Sequence, residues 1–460
     1  MGRCPGCGAW NSLVEEEKSG GSETIGRTGN RRPGGSGRTN APTPVKLSEV
    51  ELIEVDRLPT GSDEFDRVLG GGIVPGSIVL IGGSPGIGKS TLMSSTLASL
   101  ERNGHSTLYV SGEESAAQVR LRAERLGPAA LSVSVIAETS LASVLATLEA
   151  ARPRVCVIDS VQTIHAGYLS GAPGSVGQVR EVAARLERLA REEGITVILV
   201  GHVTKDGALA GPRVLEHAVD CVLQFEGERE RTYRVLRVLK NRFGPTNDVG
   251  VFEMRAGGLH EVSDPSARFL RDASAVPGSC MLCAMEGSRP LLVEVQALVA
   301  PTDVVPPRRI ANGIDRNRLS LVLAVLSRHA GQRMRGAVSL AGADVFVSIA
   351  GGVRVEEPGA DLAVALAVAS AASGVPPHGG ERPVGCFGEV GLTGELRYVA
   401  HCERRLEEAA RFGLVRVVAP AACTDSESGD PAGARGAATL SDALELALDL
   451  DLHGSMRNAA

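Results

Sequence analysis

One segment has the residue types and spacing needed to bind phosphate. Residues 83–90 match the pattern G-x-x-x-x-G-K-[ST] in full. Its glycines let backbone N–H groups turn toward phosphates, and the helix that follows adds its positive end. Lys89 would reach the β- and γ-phosphates, and the Ser90 hydroxyl would bind Mg²⁺. We therefore predict a nucleoside triphosphate site formed by Gly83, Ser84, Pro85, Gly86, Ile87, Gly88, Lys89, Ser90 and Thr91.

Carboxylates at the ends of apolar stretches could complete this chemistry. Asp159 ends the stretch 155–158 and could hold Mg²⁺ beside Ser90, or cap the next helix. Glu113 and Glu114 follow the stretch 107–111. Either could orient and deprotonate the attacking water, with Glu113 the first candidate. Alternatively, Glu114 and Ser111 form a capping box that starts the next helix.

Further polar residues follow later strands. His202 and Thr204 come after the stretch 196–200 and could sense the γ-phosphate, although a loop histidine is an equally simple interpretation. Lys240 and Arg242 come after the stretch 233–239. Two cations so placed could reach a neighbouring chain's γ-phosphate, where they would stabilise transition-state charge. The alternative is a solvated loop.

The elements that position these residues alternate in type. Apolar stretches at 77–81, 107–111, 133–136, 155–158 and 196–200 predict strands, with helices at 115–126, 141–150 and 176–193. Such alternation is typical of a parallel sheet covered on both faces, whose carboxyl edge faces a nucleotide. Stretches 219–225 and 233–239 predict two more strands at the edge of the sheet. The predicted ATPase domain covers residues 47–264.

The rest of the chain follows another pattern. Residues 265–278 are predicted to be a connector, and residues 279–460 a second domain without a phosphate loop. Its predicted strands are 291–299 and 343–349, with a strand–turn stretch at 384–398. Its predicted helices are 318–329, 360–373 and 403–412.

The amino-terminal residues predict a partial metal site and a linker. Cys4 and Cys7 form a C-x-x-C pair within residues 1–10, but a structural Zn²⁺ needs four ligands. Residues 11–46 are rich in Gly, Ser and Arg and predict a flexible linker. A second pair, Cys280 and Cys283, lies in an apolar stretch and is better explained as buried small side chains.

Composition limits the function classes. The chain has 460 residues, a net charge of −6 and no apolar run of about 18 residues, which predicts a cytoplasmic protein without a membrane partner. DNA contact would then depend on local basic patches. Nine scattered cysteines argue against a disulfide framework.

The motifs together resemble one family. Residues 69–72, 83–91, 110–115 and 159–163 carry Leu-Gly-Gly-Gly, the phosphate loop, Val-Ser-Gly-Glu-Glu-Ser and Asp-Ser-Val-Gln-Thr in order. Residues 201–205 and 210–217 follow, and Lys-Asn-Arg-Phe-Gly at 240–244 completes the series. This series closely resembles the RadA (Sms) family of bacterial DNA-repair proteins over almost the whole chain.

The resemblance implies an α/β fold, a RecA-like P-loop core assembled as a homo-hexameric ring. It implies ATP-driven translocation on single-stranded and branched DNA, branch migration of recombination intermediates, and the recombinase RecA as a partner. Glu113 then matches the catalytic glutamate of related ring helicases, and Lys240 and Arg242 match their trans-acting pair. The family has another C-x-x-C upstream of Cys4, so we expect a start codon further upstream and Zn²⁺ only where that pair exists.

The second domain resembles the Lon protease domain through residues 358–361 and 388–395. Lon-type hydrolysis needs a serine nucleophile and a lysine base, and the resemblance places Gly359 and Arg404 at those two positions. Glycine carries no nucleophile and a guanidinium stays protonated, so we expect no peptidase activity. We expect a scaffold that contacts DNA through the basic cluster Arg308, Arg309, Arg316 and Arg318, and Lys205 of the first domain is a further candidate for DNA contact.

Three functions remain possible at this point. The first is a DNA-repair motor driven by ATP hydrolysis. The second is a clamp or loader that ATP switches onto DNA without strand movement. The third, an ATP-dependent protease, is disfavoured by the missing nucleophile and base.

Overall fold

A computed structural model describes Lys46 and residues 56–202, 214–227, 233–255, 258–271, 273–329, 338–378, 383–424 and 433–448. The predicted positions Cys4, Cys7, Thr204 and Lys205 lie outside these ranges.

The first sheet has nine strands in the order β3-β2-β4-β5-β1-β6-β7-β8-β9. Its strands are β1 Ile78–Gly83, β2 Thr107–Ser111, β3 Ser134–Ala137, β4 Val155–Asp159, β5 Thr196–His202, β6 Cys221–Glu226, β7 Tyr233–Asn241, β8 Val249–Arg255 and β9 Gly258–Glu261. The strands from β3 to β6 in this order are parallel, and β7 to β9 continue as antiparallel neighbours. This confirms the predicted parallel sheet, and the β8–β9 hairpin extends it.

Helices cover both faces of this sheet. They are α1 Asp63–Leu69, α2 Lys89–Arg102, α3 Ala116–Leu126, α4 Leu141–Ala151, α5 Val176–Glu193 and α6 Val214–Ala218. Successive β1 side chains point to opposite faces, so Val79 packs in one core with α1 and α2, and Ile78 packs in another with α4 and α5. Each core excludes water from one face, and together they fix the carboxyl ends of the strands.

The predicted connector begins as a helix. Residues Pro265–Arg271 form α7, which packs against the second sheet. Phe269 is buried in the core of the second domain, and the Ser266 hydroxyl donates to Glu408 Oε1 at 2.6 Å. The first half of the connector is therefore anchored to the second domain by apolar and polar contacts.

The second sheet has seven strands in the order β12-β13-β11-β10-β14-β17-β18. These strands are β10 Ser279–Glu286, β11 Arg289–Pro301, β12 Arg309–Asn312, β13 Ala343–Ile349, β14 Gly385–Cys386, β17 Val417–Pro420 and β18 Ala434–Ala437. A small separate pair, β15 Glu389–Val390 and β16 Leu396–Arg397, lies in the predicted strand–turn stretch.

Helices enclose this second sheet. They are α8 Arg316–His329, α9 Asp361–Ser373, α10 Cys402–Arg411 and α11 Leu440–Leu448. Nearly every residue of α9 is buried, because this helix packs against β10 and β11 with α8 and α11 beside it. Its Ala- and Val-rich sequence fits such a position, since small side chains let neighbouring elements approach closely.

Charged side chains connect the two sheets. Arg289, at the start of β11, donates to Glu64 Oε2 of α1 at 2.5 Å, and both side chains are buried. Arg237 of β7 contacts Glu286 of β10, also at 2.5 Å. Burial raises the pKa of Glu286, and the charge of Arg237 and its hydrogen bond oppose that rise. The β10–β11 hairpin thus contacts β7 of the first sheet and the helix α1 beside it.

Cysteines of the second domain are found both as buried core side chains and in a disulfide. Cys280 and Cys283 are buried in β10, which confirms the interpretation that they are small core side chains. A disulfide joins Cys402 and Cys423, whose Cα atoms are 5.6 Å apart, and the scattered cysteine pattern did not predict it. The fold brings them together by packing the start of α10 near the turn after β17.

Within the described residues, no helix is both long enough and apolar enough to cross a membrane.

Candidate functional site

The phosphate loop connects β1 to α2 at the carboxyl edge of the first sheet. Gly86 and Gly88 have positive φ values of 76° and 121°, which glycine adopts readily and other residues rarely do. A side chain at Gly88 would also meet Met254 Cε at 3.0 Å. The buried Ile87 fixes the loop against the core, while Ser84, Pro85 and Gly86 face solvent. The exposed loop and the helix amino terminus fit a phosphate chain.

Lys89 is buried, and its ammonium group is held inside the loop. Its Nζ donates to the carbonyl oxygens of Gly83 at 2.7 Å and Ser84 at 3.1 Å. Burial lowers the pKa of Lys89, and the charges of Asp159 and Glu113 oppose that decrease. The ammonium lies where the β- and γ-phosphates of a nucleotide would need a counter-charge.

Ser90 and Asp159 meet as the magnesium prediction requires. The Ser90 hydroxyl donates to Asp159 Oδ2 at 2.5 Å, and the hydroxyl of Tyr109 donates to the same oxygen at 2.5 Å. Burial is the main cause that raises the pKa of Tyr109, so this phenol remains a donor. A hydroxyl beside a carboxylate suits Mg²⁺, which binds oxygen ligands. Sequence reasoning missed Tyr109, because a tyrosine inside an apolar strand carries no signal for this contact.

Glu113 follows β2 and points toward the same place. Its Oε1 accepts a hydrogen bond from Ser160 Oγ at 2.5 Å and lies 2.9 Å from His202 Nε2. Burial would raise the pKa of Glu113, but these hydrogen bonds and the charges of His202 and Lys89 outweigh it and hold the pKa below its usual range. The Glu113 side chain is therefore held in its ionised form, which is the form that a general base needs.

His202 lies between the ammonium group of Lys89 and the carboxylate of Glu113. Its Nδ1 is 3.5 Å from Lys89 Nζ, while its Nε2 faces Glu113. The prediction that His202 reaches the γ-phosphate region fits this position, although it remains a prediction. Together, Lys89, Ser90, Glu113, Asp159 and His202 line one cleft of about 740 Å³.

Glu114 has a different partner from Glu113. It forms an ion pair with Arg122 of α3. The predicted capping box is wrong in its residues, because Ser115 and Gln118 cap α3 instead. Ser111 Oγ instead accepts a hydrogen bond from the amide of Glu114 and donates to its carbonyl oxygen. The cap begins four residues later than predicted because the chain makes a turn between β2 and α3.

Lys240 and Arg242 lie away from this cleft. Lys240 Nζ donates to the carbonyl oxygens of Glu216 and Val219, at 2.6 and 2.7 Å. Arg242 pairs with Asp220 at 3.0 Å. In the first sheet, Asn241 is opposite Cys221, at the amino-terminal end of β6. The phosphate loop is at the other end of that strand.

The basic cluster of the second domain divides into two groups. Arg318 makes a bidentate contact with the buried Asp361, at 2.5 and 2.8 Å. Arg309 donates to backbone carbonyls, including that of Leu340 at 2.5 Å. Arg308 and Arg316 have exposed side chains. The guanidinium groups of Arg318 and Arg309 make contacts within their own domain. Arg308 and Arg316 are therefore the better placed candidates for phosphate contact.

Gly359 has an arginine neighbour, but it is not the predicted one. Arg405 lies beside it: a side chain at Gly359 would meet Arg405 Nη1 at 3.2 Å. Arg405 also pairs with Glu357, at 2.5 Å for the shorter contact. Arg404 instead donates to the carbonyl of Ser288 at 3.1 Å. One residue along α10 turns the side chain by about 100°, and this rotation decides which arginine faces inward.

Fold and site define a P-loop ATPase of the RecA-like class. The family profile described as AAA domain matches residues 41–208. The DNA repair protein RadA of Bacillus subtilis is 47% identical over 455 residues, which cover 97% of this chain and 95% of that protein. RadA of Pseudomonas aeruginosa is 49% identical over 435 residues, with 94% and 91% covered. The chain therefore belongs to the RadA family of DNA repair proteins, which also supports the Lon-protease-like assignment of the second domain.

Among solved structures, a KaiC-like protein from Pyrococcus horikoshii matches 45% of this chain and 99% of its own, at 22% identity and a TM-score of 0.39.

Proposed function

We propose that this chain is a DNA-dependent ATPase of recombinational repair that works as a ring. In this proposal, subunits associate head to tail, translocate on single-stranded DNA and promote branch migration of recombination intermediates. Residues 47–264 would be the motor domain, and residues 279–460 a scaffold that helps to form the ring. The recombinase RecA is a proposed partner, as for the family.

The position of Lys240 and Arg242 is the observation that carries this proposal. β6 pairs with β1 so that Gly83 is opposite Phe225, whereas Asn241 is opposite Cys221. Four residues of extended strand separate these points by roughly 13 Å, at about 3.3 Å per residue. The two cations therefore lie at the opposite edge of the sheet from their own phosphate loop. A cation placed there can serve a neighbour's nucleotide, and a head-to-tail ring supplies that geometry.

Each residue of the cleft then has one task. Lys89 and the loop amides bind the phosphates of ATP, while Ser90 and Asp159 hold Mg²⁺, which when bound neutralises phosphate charge. Glu113 takes a proton from the attacking water. Lys240 and Arg242 of the adjacent subunit would stabilise the charge that develops on the transferred phosphoryl group.

The second domain supports a structural role better than a proteolytic one. At Gly359 there is no hydroxyl to attack a peptide bond, and the nearest cation, Arg405, is already paired with Glu357. A guanidinium does not act as a general base because it stays protonated. Arg308 and Arg316 are the proposed DNA contacts here. Zn²⁺ binding through Cys4 and Cys7 remains a prediction that depends on an upstream C-x-x-C pair.

Steady-state ATP hydrolysis with and without single-stranded DNA tests the proposal. For Lys240→Ala we expect DNA stimulation to fall at least about tenfold, as for loss of a transition-state cation. Affinity for ATP should be unchanged, since Lys240 does not line its own cleft. Arg188→Ala removes an exposed helix-surface cation of α5 and serves as the control. Equal DNA stimulation in Lys240→Ala and the control would contradict a trans-acting role.

The clamp or loader is the alternative function. It predicts ATP-dependent DNA binding with slow hydrolysis, and no movement of a branch point in a joint-molecule assay. A wild-type protein that binds DNA tightly yet leaves such junctions in place would favour the clamp over the motor.

A further inference from the structure

Ser160 follows the magnesium candidate Asp159 and contacts the candidate base. Its side chain is fully buried, and its Oγ donates to Glu113 Oε1 at 2.5 Å. A buried hydroxyl has few rotamers open to it, and this one points at the carboxylate from the end of β4. Ser160 therefore links the end of β4, where the magnesium candidate Asp159 lies, to the candidate base Glu113, which follows the adjacent strand β2.

The backbone around Ser160 is braced from several directions. Thr163 Oγ1 donates to the carbonyl of Ser160 at 2.7 Å, and the amide of Gly112 donates to the carbonyl of Asp159 at 2.8 Å. At Gly112, a side chain would collide with Thr163 Oγ1 at 1.9 Å. A glycine before Glu113 thus lets the end of β2 approach the turn after β4 this closely. The close contact fixes the backbone from which the Glu113 side chain extends.

A second donor reaches the same carboxylate oxygen from β5. His202 Nε2 is 2.9 Å from Glu113 Oε1. The Glu113 side chain is 42% exposed, so without such contacts it would sample several rotamers in the open cleft. Of its two partners, Ser160 is the buried one and the better fixed.

We propose that Ser160 is a positioning residue for ATP hydrolysis: its buried hydroxyl holds the Glu113 carboxylate in the orientation that accepts the proton of the attacking water. This inference deepens the proposed function and rests on Glu113 as the base. It assigns to Ser160 no contact with nucleotide or metal. A positioning role of this kind should affect the chemical step and leave nucleotide binding intact.

Kinetics of Ser160→Ala, Glu113→Gln and the double variant test this proposal. A hydrogen bond to a charged group is lost in Ser160→Ala, so we expect kcat to fall about 10- to 100-fold with KM for ATP unchanged. In a Glu113→Gln background the same change should alter kcat by less than about twofold, since there is no carboxylate left to orient. Ser77→Ala is the matched control, because Ser77 is also a buried donor but bonds to the carbonyl of Val74 at 2.6 Å.

Ser160→Cys keeps the shape of the side chain with a weaker donor, and it decides the question if Ser160→Ala fails to fold. Its kcat should lie below wild type, with normal affinity for a fluorescent ADP analogue. A kcat for Ser160→Ala or Ser160→Cys equal to that of Ser77→Ala, while Glu113→Gln is inactive, would overturn the role of Ser160 alone. Wild-type kcat in Glu113→Gln would instead overturn the base assignment, and this proposal with it.

Discussion

Glu113 and Glu114 are adjacent in the chain, yet their carboxylates have different surroundings. Glu113 contacts Ser160 and His202 inside the cleft. Glu114 pairs with Arg122 on α3. The Glu114 carboxylate is held by its ion pair with Arg122, whereas the Glu113 carboxylate is oriented beside the Lys89 loop, where it can receive a proton from water. The contacts therefore favour Glu113 as the base.

Exchanging each glutamate for glutamine should separate these roles. Glu113→Gln should lower kcat by about 10²- to 10⁴-fold, the usual loss for a general base, while ATP still binds. Glu114→Gln keeps the same size and should change kcat by only a few fold. Single-turnover hydrolysis measures the chemical step, and a larger loss in Glu114→Gln than in Glu113→Gln would contradict the assignment.

Arg404 and Arg405 form another adjacent pair that differs in burial. Arg405 is 2% exposed and paired with Glu357, so Arg405→Ala would leave a poorly solvated carboxylate without its partner. We expect a loss of about 3–5 kcal/mol in the free energy of unfolding. Arg404→Ala removes one exposed hydrogen bond and should cost no more than about 0.5 kcal/mol. Urea unfolding measures both, and equal losses would contradict the described role of Arg405.

At the scale of elements, Arg57 and the turn after α1 support the end of β7, which carries Lys240, and the residues after it, which include Arg242. Asn241 Nδ2 donates to the carbonyl of Leu69 at 3.3 Å, and Arg57 donates to the carbonyl of Phe243 at 2.5 Å. Gly70 and Gly244 lie so close that a side chain on Gly70 would approach Gly244 Cα to 3.2 Å. Two motifs that are far apart in sequence thus form one structural unit.

Gly70→Ala should lower the free energy of unfolding by more than the usual cost of placing a non-glycine residue at a positive φ. Gly70 has φ +83°, and a control, Gly104, has φ +80° with nothing within 4 Å of an added side chain. Both substitutions should cost about 1–2 kcal/mol from backbone strain. Gly70→Ala should destabilise further and reduce DNA-stimulated ATP hydrolysis, because its methyl group displaces the backbone of Gly244. Indistinguishable stability and activity in the two variants would argue against the coupling.

Seven of the nine strands of the first sheet, β1 to β7, are predicted to within a few residues, because apolar stretches and glycine turns mark them, whereas β8 and β9 are not predicted. The sequence also selects Ser90, Asp159 and Glu113 as candidates, Ser90 from the phosphate-loop pattern and the two carboxylates because each follows an apolar stretch. Tyr109 and Ser160 are missed, because their roles arise from the pairing of β2 with β4 and no local pattern records it. In the second domain, β14 has only two residues, Gly385–Cys386, and depends on pairing with β10 and β17.

At the scale of the whole molecule, the two sheets contact each other through buried charge. Arg289 of the second domain reaches Glu64 of α1, whose Oε2 also accepts the amide of Val251 at 2.9 Å. Arg237, which contacts Glu286, lies on β7, the strand that ends at Lys240 and Asn241. Because a buried ion pair is costly to separate, the contact between Arg237 and Glu286 should hold the second domain against β7, the strand that carries Lys240.

Mixing two inactive variants tests the central claim, hydrolysis across a subunit boundary. Lys89→Ala should fail to use ATP but keeps Lys240, while Lys240→Ala keeps an intact cleft but lacks the cation. In mixed rings formed from equal amounts, about one boundary in four joins an intact cleft to an intact Lys240. We predict that DNA-stimulated ATP hydrolysis returns to about that fraction of wild type on mixing. Activity no greater than the sum of the separate variants, in rings shown to exchange subunits, would contradict hydrolysis across a subunit boundary.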